Sequence, residues 1–355
     1  MKEQLVKVYK ESTYKLSGHG PRNLEVLKVA LDKIEDASYA DIYGKGEVIE
    51  LFEAKMAERL GKEDAVFFPS GTMAQQIALR MWCDDRQIYR VAYHPLCHLE
   101  IHEQDGLKEI HTIETVLLGE KNRLFDLADL KAVKEPLAAI LIELPQREIG
   151  GQLPSFEDLL AITDYCRSNH IHTHLDGARL WECEPYYKKE LEEICDLFDS
   201  VYVSLYKGIG SLAGAVLAGT EAFTTDSKIW KRRYGGDLIS LYPYILSADY
   251  YYEKRKGLMD HYYKNATALA RRFNSLDNYR TVPLIPVTNM FHVHMAKSNN
   301  QSLENLMAAM EISGIGVTAM VINRENEGGF FEVSIGDAYD EISDESLAKL
   351  FEQLE

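Results

Sequence analysis

The sequence predicts an α/β protein, with a large domain built on a mainly parallel sheet and a smaller α+β domain after it. Up to about residue 220, short apolar runs alternate with segments of helical periodicity. Such alternation is typical of strand–helix–strand units. Several of the apolar runs, such as 138–144 and 200–206, are largely unbroken rather than alternating. Unbroken runs suit strands that are covered on both faces, as in parallel sheets.

The predicted elements follow one another along the chain. In the first part we expect helices from near Ser70 and over 156–168, and strands at 65–68, 90–93, 110–116, 138–144, 171–176, 200–206 and 214–219. After Trp230 we expect one long helix over 242–263, strands at 287–295, 316–321 and 331–335, and helices at 303–312 and 344–354. We place the boundary near residue 245, which gives domains of 1–245 and 246–355.

Composition excludes several classes of protein. The chain has 355 residues, 46% hydrophobic and 27% charged, which is enough apolar material for a sizeable core. Its net charge of −17 argues against nucleic acid or an anionic membrane as partner. We find no apolar run of the roughly 18 residues that span a bilayer. The five cysteines contain no C-x-x-C pair, which predicts reduced thiols and a cytoplasmic protein.

Polar residues follow three of the predicted strands, and ligands of open α/β sheets bind beyond the carboxyl ends of strands. The segments are 69–72 (Pro-Ser-Gly-Thr), 176–179 (Asp-Gly-Ala-Arg) and 204–210 (Ser-Leu-Tyr-Lys-Gly-Ile-Gly). The first opens a helix, where backbone amides and the helix dipole suit a phosphate. Ser70, Gly71 and Thr72 are therefore either a phosphate site or an ordinary helix cap.

The other two strand ends carry groups that need partners. Asp176 ends an apolar strand, and a carboxylate at that depth pairs either with Arg179 or with a cation such as a pyridinium nitrogen. Lys207 precedes a glycine-rich turn and is either a solvated surface lysine or a desolvated nucleophile that forms a Schiff base. A phosphate cradle, a pyridinium partner and a Schiff-base lysine together are the parts of a pyridoxal phosphate site.

The segments 68–75, 174–181 and 203–210 resemble the signature blocks of threonine aldolases, in the β-eliminating lyase group of fold-type-I pyridoxal phosphate enzymes. Residues 41–44 also resemble this family, and the likeness covers about residues 15–240. It implies the fold-type-I transferase architecture and aldol cleavage of a β-hydroxy-α-amino acid, L-threonine or L-allo-threonine, to glycine and an aldehyde. Other pyridoxal phosphate reactions (β-elimination, transamination, racemisation), or a non-catalytic homologue that binds the cofactor, are the alternatives.

The resemblance also implies a role for each matching residue. Lys207 would carry the Schiff base, Asp176 would pair with the pyridine nitrogen, and His98 would stack on the ring. Ser70, Gly71 and Thr72 would hold the phosphate. Arg179 would meet the phenolic oxygen and the substrate carboxylate, which Ser17 would help to bind. Lys231, Arg232 or Arg233 would reach a neighbouring subunit's phosphate, since the site would lie at the interface of a homodimer or homotetramer.

The chain departs from the family pattern at three places. Gln146 stands where a histidine of the catalytic pocket is expected, and we assign it to substrate binding. His102 replaces a tyrosine, and either His98, His102 or a water they hold is the candidate base. Phe331 stands where an arginine binds the substrate carboxylate; Arg324, in the loop before it, is the candidate substitute.

Two histidine series offer a different interpretation. His94, His98 and His102 recur at helical spacing, and 170, 172 and 174 alternate along a strand, so either series can present several rings on one face. Metal-dependent hydrolysis is the function that such a site favours. We expect no metal here, because the first series contains Pro95 and coincides with the ring-stacking segment.

Overall fold

The structure, a computed structural model, describes residues 1–32, 39–297, 300–324 and 328–355. It forms two compact units. The larger comprises Asn23–Glu148 and Leu153–Gly257, and the smaller comprises Met1–Arg22, Ile149–Gln152 and Leu258–Glu355. Residue 245, the predicted domain boundary, lies within a helix of the larger unit, Tyr242–Arg255.

The strands of the described residues are, in chain order, β1 Tyr14–Lys15, β2 Asp64–Phe68, β3 Arg90–Tyr93, β4 Glu114–Leu117, β5 Ala139–Glu143, β6 His172–Gly177, β7 Ser200–Ser204, β8 Ala215–Gly219, β9 Tyr279–Val282, β10 Met290–Met295, β11 Ile315–Gly316, β12 Ile322–Arg324 and β13 Gly328–Ser334. The helices are α1 Lys2–Glu11, α2 Glu25–Leu31, α3 Glu47–Arg59, α4 Gly71–Arg86, α5 His98–Ile101, α6 Gly106–His111, α7 Leu127–Ala132, α8 Phe156–Ser168, α9 Glu184–Tyr187, α10 Leu191–Cys195, α11 Glu221–Arg233, α12 Tyr242–Arg255, α13 Met259–Asn274, α14 Asn300–Ser313 and α15 Asp344–Leu354.

The larger unit is built on a seven-stranded sheet in the order β2-β8-β7-β6-β5-β3-β4. The five strands β7, β6, β5, β3 and β4 run parallel, and β8 is antiparallel to both β7 and β2. The predicted α/β class with a mainly parallel sheet is therefore confirmed. The register places Glu143 opposite Asp176 on neighbouring strands, so their side chains reach the same edge of the sheet.

Helix α4 covers this sheet and contributes to two buried apolar clusters. Ile77 and Ala78 pack with Val66 of β2 and Leu217 of β8, among others. Leu79, on the other side of the helix, packs with β3 and β5. Because removing this apolar surface from water is favourable, α4 is held across the sheet. Its first residue, Gly71, comes three residues after Phe68, which ends β2.

The smaller unit has a four-stranded antiparallel sheet in the order β12-β13-β10-β9. Helices α14 and α15 belong to the same unit and contact each other. The start of the chain joins this unit as well, because β1 pairs in parallel with β11, Tyr14 opposite Ile315. The α+β prediction for the C-terminal part is confirmed.

Three predicted elements are wrong in detail. The long helix over 242–263 is two helices, α12 and α13, which are separated at 256–258. Gly257 lies in this break. Glycine is a poor helix former because it loses more backbone conformational freedom on folding than any other residue. The run 110–116 begins inside α6, which ends at the left-handed Thr112 before β4. Of the run 316–321 only Gly316 is in a strand, β11.

In the part of the chain that the structure describes, the helices are all too short or too polar to cross a lipid bilayer.

Candidate active site

The carboxyl ends of β5, β6 and β7 converge on one pocket of the larger unit. Its lining residues are His98, His102, Glu143, Arg147, Glu148, Asp176, Ala178, Arg179 and Lys207. The structure thus brings together five of the residues predicted for the site: Lys207, Asp176, Arg179, His98 and His102. Glu143, Arg147 and Glu148 line the same pocket and were not predicted.

Asp176 is almost completely buried at the end of β6. One carboxylate oxygen accepts a hydrogen bond from the Ala178 amide at 3.0 Å, and the other accepts one from Gln75 Nε2 at 2.9 Å. Gln75 lies in the second turn of α4, so the helix that begins at Gly71 also orients the carboxylate of Asp176. Two donors on a buried carboxylate fix its position and offset part of its desolvation.

Lys207 follows β7 and is the cation whose environment matters most for chemistry. Burial lowers its pKa, and the positive charge of Arg179 lowers it further, against the opposing influence of Asp176 and Glu143. A lysine in this setting has a larger neutral, nucleophilic fraction than a solvated one.

The turn after Lys207 is held by α12. Arg255 Nη1 donates to the Ile209 carbonyl at 2.5 Å, and the Leu212 amide donates to Ser247 Oγ at 3.0 Å. The Leu205 amide also donates to the Gly214 carbonyl at 3.1 Å, which closes the turn. The backbone segment that carries Lys207 is therefore held by hydrogen bonds at several residues.

Glu143 is a buried acid whose carboxyl is held from two sides. Gln146 Nε2 donates to one oxygen at 3.2 Å and the Arg147 amide donates to the other at 3.3 Å. Burial, together with the negative charge of Asp176, raises the pKa of Glu143 to about 7. One signal was present in the sequence, because Glu143 ends the apolar run 137–142, just as Asp176 ends its own strand.

Two histidines of the pocket are each backed by a glutamate. His98 Nδ1 lies 3.1 Å from Glu103 Oε1, and the other oxygen of Glu103 accepts from Gln76 Nε2 at 2.8 Å. His102 Nε2 lies 3.1 Å from Glu148 Oε1. Because an ionised carboxylate only accepts, the ring nitrogen that faces it carries the proton. The remaining nitrogens, Nε2 of His98 and Nδ1 of His102, are then the acceptors.

Gln146 is buried and bonded away from these acceptors. Its amide nitrogen donates to the Leu96 carbonyl and to Glu143, both at 3.2 Å, and it is not among the described residues that line the pocket. Gln146 therefore contacts the pocket indirectly, through its hydrogen bond to the carboxyl of Glu143.

The predicted phosphate segment forms the beginning of α4. Ser70 caps the helix, since its Oγ accepts from the Met73 amide at 3.4 Å, and Thr72 is exposed. Gly71 is buried against Tyr202, and a Cβ at this position would lie 2.1 Å from Tyr202 Oη. Only glycine lets the helix start approach the sheet this closely.

Arg232 and Arg233 lie at the end of α11, and neither lines the pocket as far as the structure describes it. Arg232 Nη1 lies 2.8 Å from Asp237 Oδ2, and its guanidinium lies over the ring of Tyr43. Arg233 lies over the ring of Trp230.

The remaining predicted residues belong to the smaller unit. Ser17 Oγ accepts from the Ser334 amide at 3.1 Å. Arg324 ends β12 opposite Gly328, so it is in a strand and not in the predicted loop, and its side chain lies outside the described residues. Phe331 is fully buried in β13, edge-on to Phe273.

The histidine series that suggested a metal are bonded to other groups. His94 Nε2 lies within 3.1 Å of the Glu120 and Arg123 carbonyls, His172 contacts Asp85 and Asp199, and His174 contacts Ser200. Among the described residues, no three His, Cys, Asp or Glu side chains come together as a metal-binding group.

Comparison with known proteins agrees with the signature segments. Residues 33–298 match the model of the β-eliminating lyase family. A solved structure from Listeria monocytogenes, described as a candidate L-allo-threonine aldolase, is 56% identical, with a TM-score of 0.98 over 99% of this chain and 98% of that one. A structure from Exiguobacterium sp., described as a candidate aromatic amino acid β-eliminating lyase/threonine aldolase, is 51% identical, with a TM-score of 0.96 over 99% of both chains. Low-specificity L-threonine aldolase 1 of Arabidopsis thaliana is 26% identical over 78% of this chain and 79% of its own length.

Proposed function

This chain belongs to the β-eliminating lyase family, and from that premise we propose that it is a pyridoxal-phosphate-dependent lyase of the threonine aldolase type. It cleaves a β-hydroxy-α-amino acid, threonine or allo-threonine, to glycine and an aldehyde. The observation that carries the proposal is the pocket in which Lys207, Asp176, Arg179 and His98 meet. The similarity of the chain to proteins described as threonine aldolases, at up to 56% sequence identity, supports the proposed reaction.

The chemistry of the side chains fits pyridoxal phosphate. Lys207 has a depressed pKa, as an amine that attacks an aldehyde requires. Asp176 is a buried carboxylate positioned by Gln75 and the Ala178 amide, as a partner for a pyridinium nitrogen requires. Ser70, Gly71 and Thr72 begin a 16-residue helix, whose first amides suit the phosphate.

Pyridoxal phosphate bound in this pocket would supply an electron sink for cleavage of the substrate's Cα–Cβ bond. Lys207 would hold the cofactor through its amine, and Asp176 would keep a proton on the ring nitrogen. His98 would lie against the ring, and Arg179 would contact the phenolic oxygen and the substrate carboxylate.

We assign the general base to the histidine pair. The β-hydroxyl of the substrate must lose a proton as the carbon–carbon bond breaks, and imidazole titrates near neutral pH. His102 Nδ1 is the preferred acceptor, because Glu148 fixes the proton on Nε2. His98 Nε2 is its neighbour, with ring centroids 5.1 Å apart, and is the second candidate.

We further propose that the protein is a cytoplasmic homo-oligomer and that Arg232 and Arg233 bind the phosphate of a partner subunit's site. The five cysteines are buried and free of disulfides, which agrees with a reducing compartment. Ser17 and Arg324 remain proposed ligands of the substrate carboxylate. We propose that Gln146 contributes to substrate binding indirectly, by donating a hydrogen bond to Glu143.

The test begins with the cofactor-loaded protein. Borohydride reduction followed by peptide mapping should label Lys207, and incubation with threonine or allo-threonine should yield glycine and an aldehyde in equal amounts. Lys207→Ala should abolish both results. Unlabelled Lys207 in cofactor-supplied protein would contradict the proposal, and turnover without glycine would point to β-elimination, transamination or racemisation.

A further inference from the structure

The pocket is lined by three carboxylates and three cations, and one of the cations is the lysine assigned to the cofactor. Asp176, Glu143 and Glu148 are its carboxylates. Besides Lys207, which would hold the cofactor, the cations that line it are Arg147 and Arg179. An α-carboxylate entering this pocket meets the acids Asp176 and Glu148, so its binding needs a cation that stays in place.

Arg147 is held on the wall that carries the histidine pair. Its backbone amide donates to Glu143 at 3.3 Å, which fixes the start of the 3₁₀ turn Arg147–Ile149 after β5. Its Nη1 donates to Glu148 Oε1 at 3.0 Å, and Glu148 also contacts His102 Nε2 at 3.1 Å. The side chain of Arg147 is about one-third exposed and lines the pocket.

The guanidinium of Arg147 also acts on the reacting amine. Arg147 and Lys207 line the same pocket, and the positive charge of Arg147 is one of those that lower the pKa of Lys207. A planar guanidinium with five donors can contact Glu148 and a second carboxylate, and its fork matches carboxylate geometry.

We propose that Arg147 binds the α-carboxylate of the amino-acid substrate, with Glu148 orienting both this arginine and His102. The inference rests on the proposed function and adds a substrate-binding residue to it. It places the carboxylate next to the candidate base, so that a substrate gripped by Arg147 presents its β-hydroxyl to the histidine side of the pocket.

The test compares two ligands that differ only in the carboxylate. Glycine and glycinamide are titrated into the holoenzyme by calorimetry, with the wild type, Arg147→Gln, Arg147→Lys and the matched control Arg167→Gln. Arg167 is an exposed arginine on α8 that pairs with Asp164 at 2.8 Å. We expect Arg147→Gln to weaken glycine binding about tenfold or more, while glycinamide changes by less than about twofold. Arg147→Lys should fall between, because it keeps the charge and loses the fork.

Two results would overturn the inference: unchanged preference for glycine over glycinamide in Arg147→Gln, or equal loss of both ligands in both Arg147 variants. Bound cofactor, measured by its absorption, checks that each variant is folded and loaded. Failure of the proposed function is distinguishable, because the loaded wild type would then fail to form glycine from threonine or allo-threonine. The role of Arg147 is tested separately, by the affinities of the variants for glycine and glycinamide.

Discussion

Glu103 is a single buried carboxylate on which the orientation of His98 depends. Its side chain is 2% exposed, and it contacts His98 Nδ1 at 3.1 Å while accepting from Gln76 at 2.8 Å. Gln76 is itself confined, since a Cβ on Gly106 would lie 2.4 Å from its amide nitrogen. His98 is therefore oriented through a fixed series of contacts, and Glu103 is a positioning residue.

We expect Glu103→Gln to disturb His98 without unfolding the protein. The amide keeps the shape of the carboxylate but can donate to Nδ1, which moves the ring proton to Nε2. Loss of a charged hydrogen bond predicts a roughly tenfold to hundredfold fall in kcat/KM. The circular dichroism of the bound cofactor should change as well, because it reports the environment of the ring.

The matched control for Glu103→Gln is Glu109→Gln, at an exposed position of α6. It should leave kcat/KM and the dichroism of the cofactor at wild-type values. A Glu103→Gln enzyme with an unaltered cofactor spectrum would show that His98 is oriented by something else.

Residues of the pocket differ in how far the sequence predicts them. Asp176 and Lys207 end apolar runs and lie in distinctive segments, so pattern alone brings them to the site. Glu103 and Glu148 act through contacts to side chains on other turns or segments, and no periodicity encodes such contacts. Gln146 differs from these residues. The resemblance assigned it to substrate binding, but its amide donates to Glu143 and to the Leu96 carbonyl.

The packing of α3 on β2 buries a carboxyl that makes stability depend on pH. Glu53 of α3 accepts from the Phe67 amide of β2 at 2.8 Å and is 7% exposed. Burial raises its pKa from 4.5 to about 7, despite that hydrogen bond and the charges of Lys228 and Lys231. Between these two values the folded state holds a proton that the unfolded state has lost. Its stabilising contribution is therefore complete at low pH and is lost as the pH rises toward 7.

Glu53→Gln should remove this dependence, because glutamine keeps the acceptor for Phe67 and never ionises. The free energy of unfolding of the variant relative to the wild type should rise by about 1–3 kcal/mol between about pH 5 and pH 8. Urea unfolding of the apoprotein at several pH values measures the difference. Glu58→Gln, at an exposed position of the same helix, should track the wild type throughout. If the two variants behave alike, the pH dependence arises elsewhere.

Among the elements, those with a strong local signal were predicted best. Residues 156–168 and 344–354 are helices with the predicted limits, and Ser155 and Ser343 cap them. The break between α12 and α13 was missed, because a single glycine in an aromatic, helical pattern does not by itself end a helix. The pairing of β1 with β11 could not be predicted from the sequence either, because two short segments at opposite ends of a chain carry no pairing signal.

At the scale of the whole molecule, the larger unit exposes apolar side chains in segments 39–43 and 238–239, which we call the apolar patch: Tyr39, Ile42, Tyr43, Leu238 and Ile239. Tyr39 is 91% exposed and Ile42 is 61% exposed. The patch is held in shape, because the Tyr43 amide donates to the Ile239 carbonyl at 3.0 Å and Asp41 accepts from the amides that begin α12. An ordered apolar surface of this kind is typical of a protein–protein interface.

A homo-oligomer that uses this patch must overcome its own charge. Each chain carries a net charge of −17, so two copies repel one another and the apolar contact has to supply the attraction. Arg232 lies over the ring of Tyr43, a residue of the patch, so its proposed contact with a partner's phosphate would accompany association through the patch. Association and cofactor binding should therefore fail together.

We expect the double variant Ile42→Glu/Ile239→Glu to shift the protein toward monomer, because it adds two charges per chain to an apolar contact between like-charged molecules. Light scattering after size exclusion should show the lower mass, most strongly at low salt where repulsion is least screened. Cofactor affinity should fall in parallel. Ile312→Glu, at a 58% exposed position of α14, adds charge at a residue that is not part of the patch and should keep both properties. An unchanged mass in the double variant would place the subunit contact on another face, and weakened cofactor binding without dissociation would separate Arg232 from any partner's site.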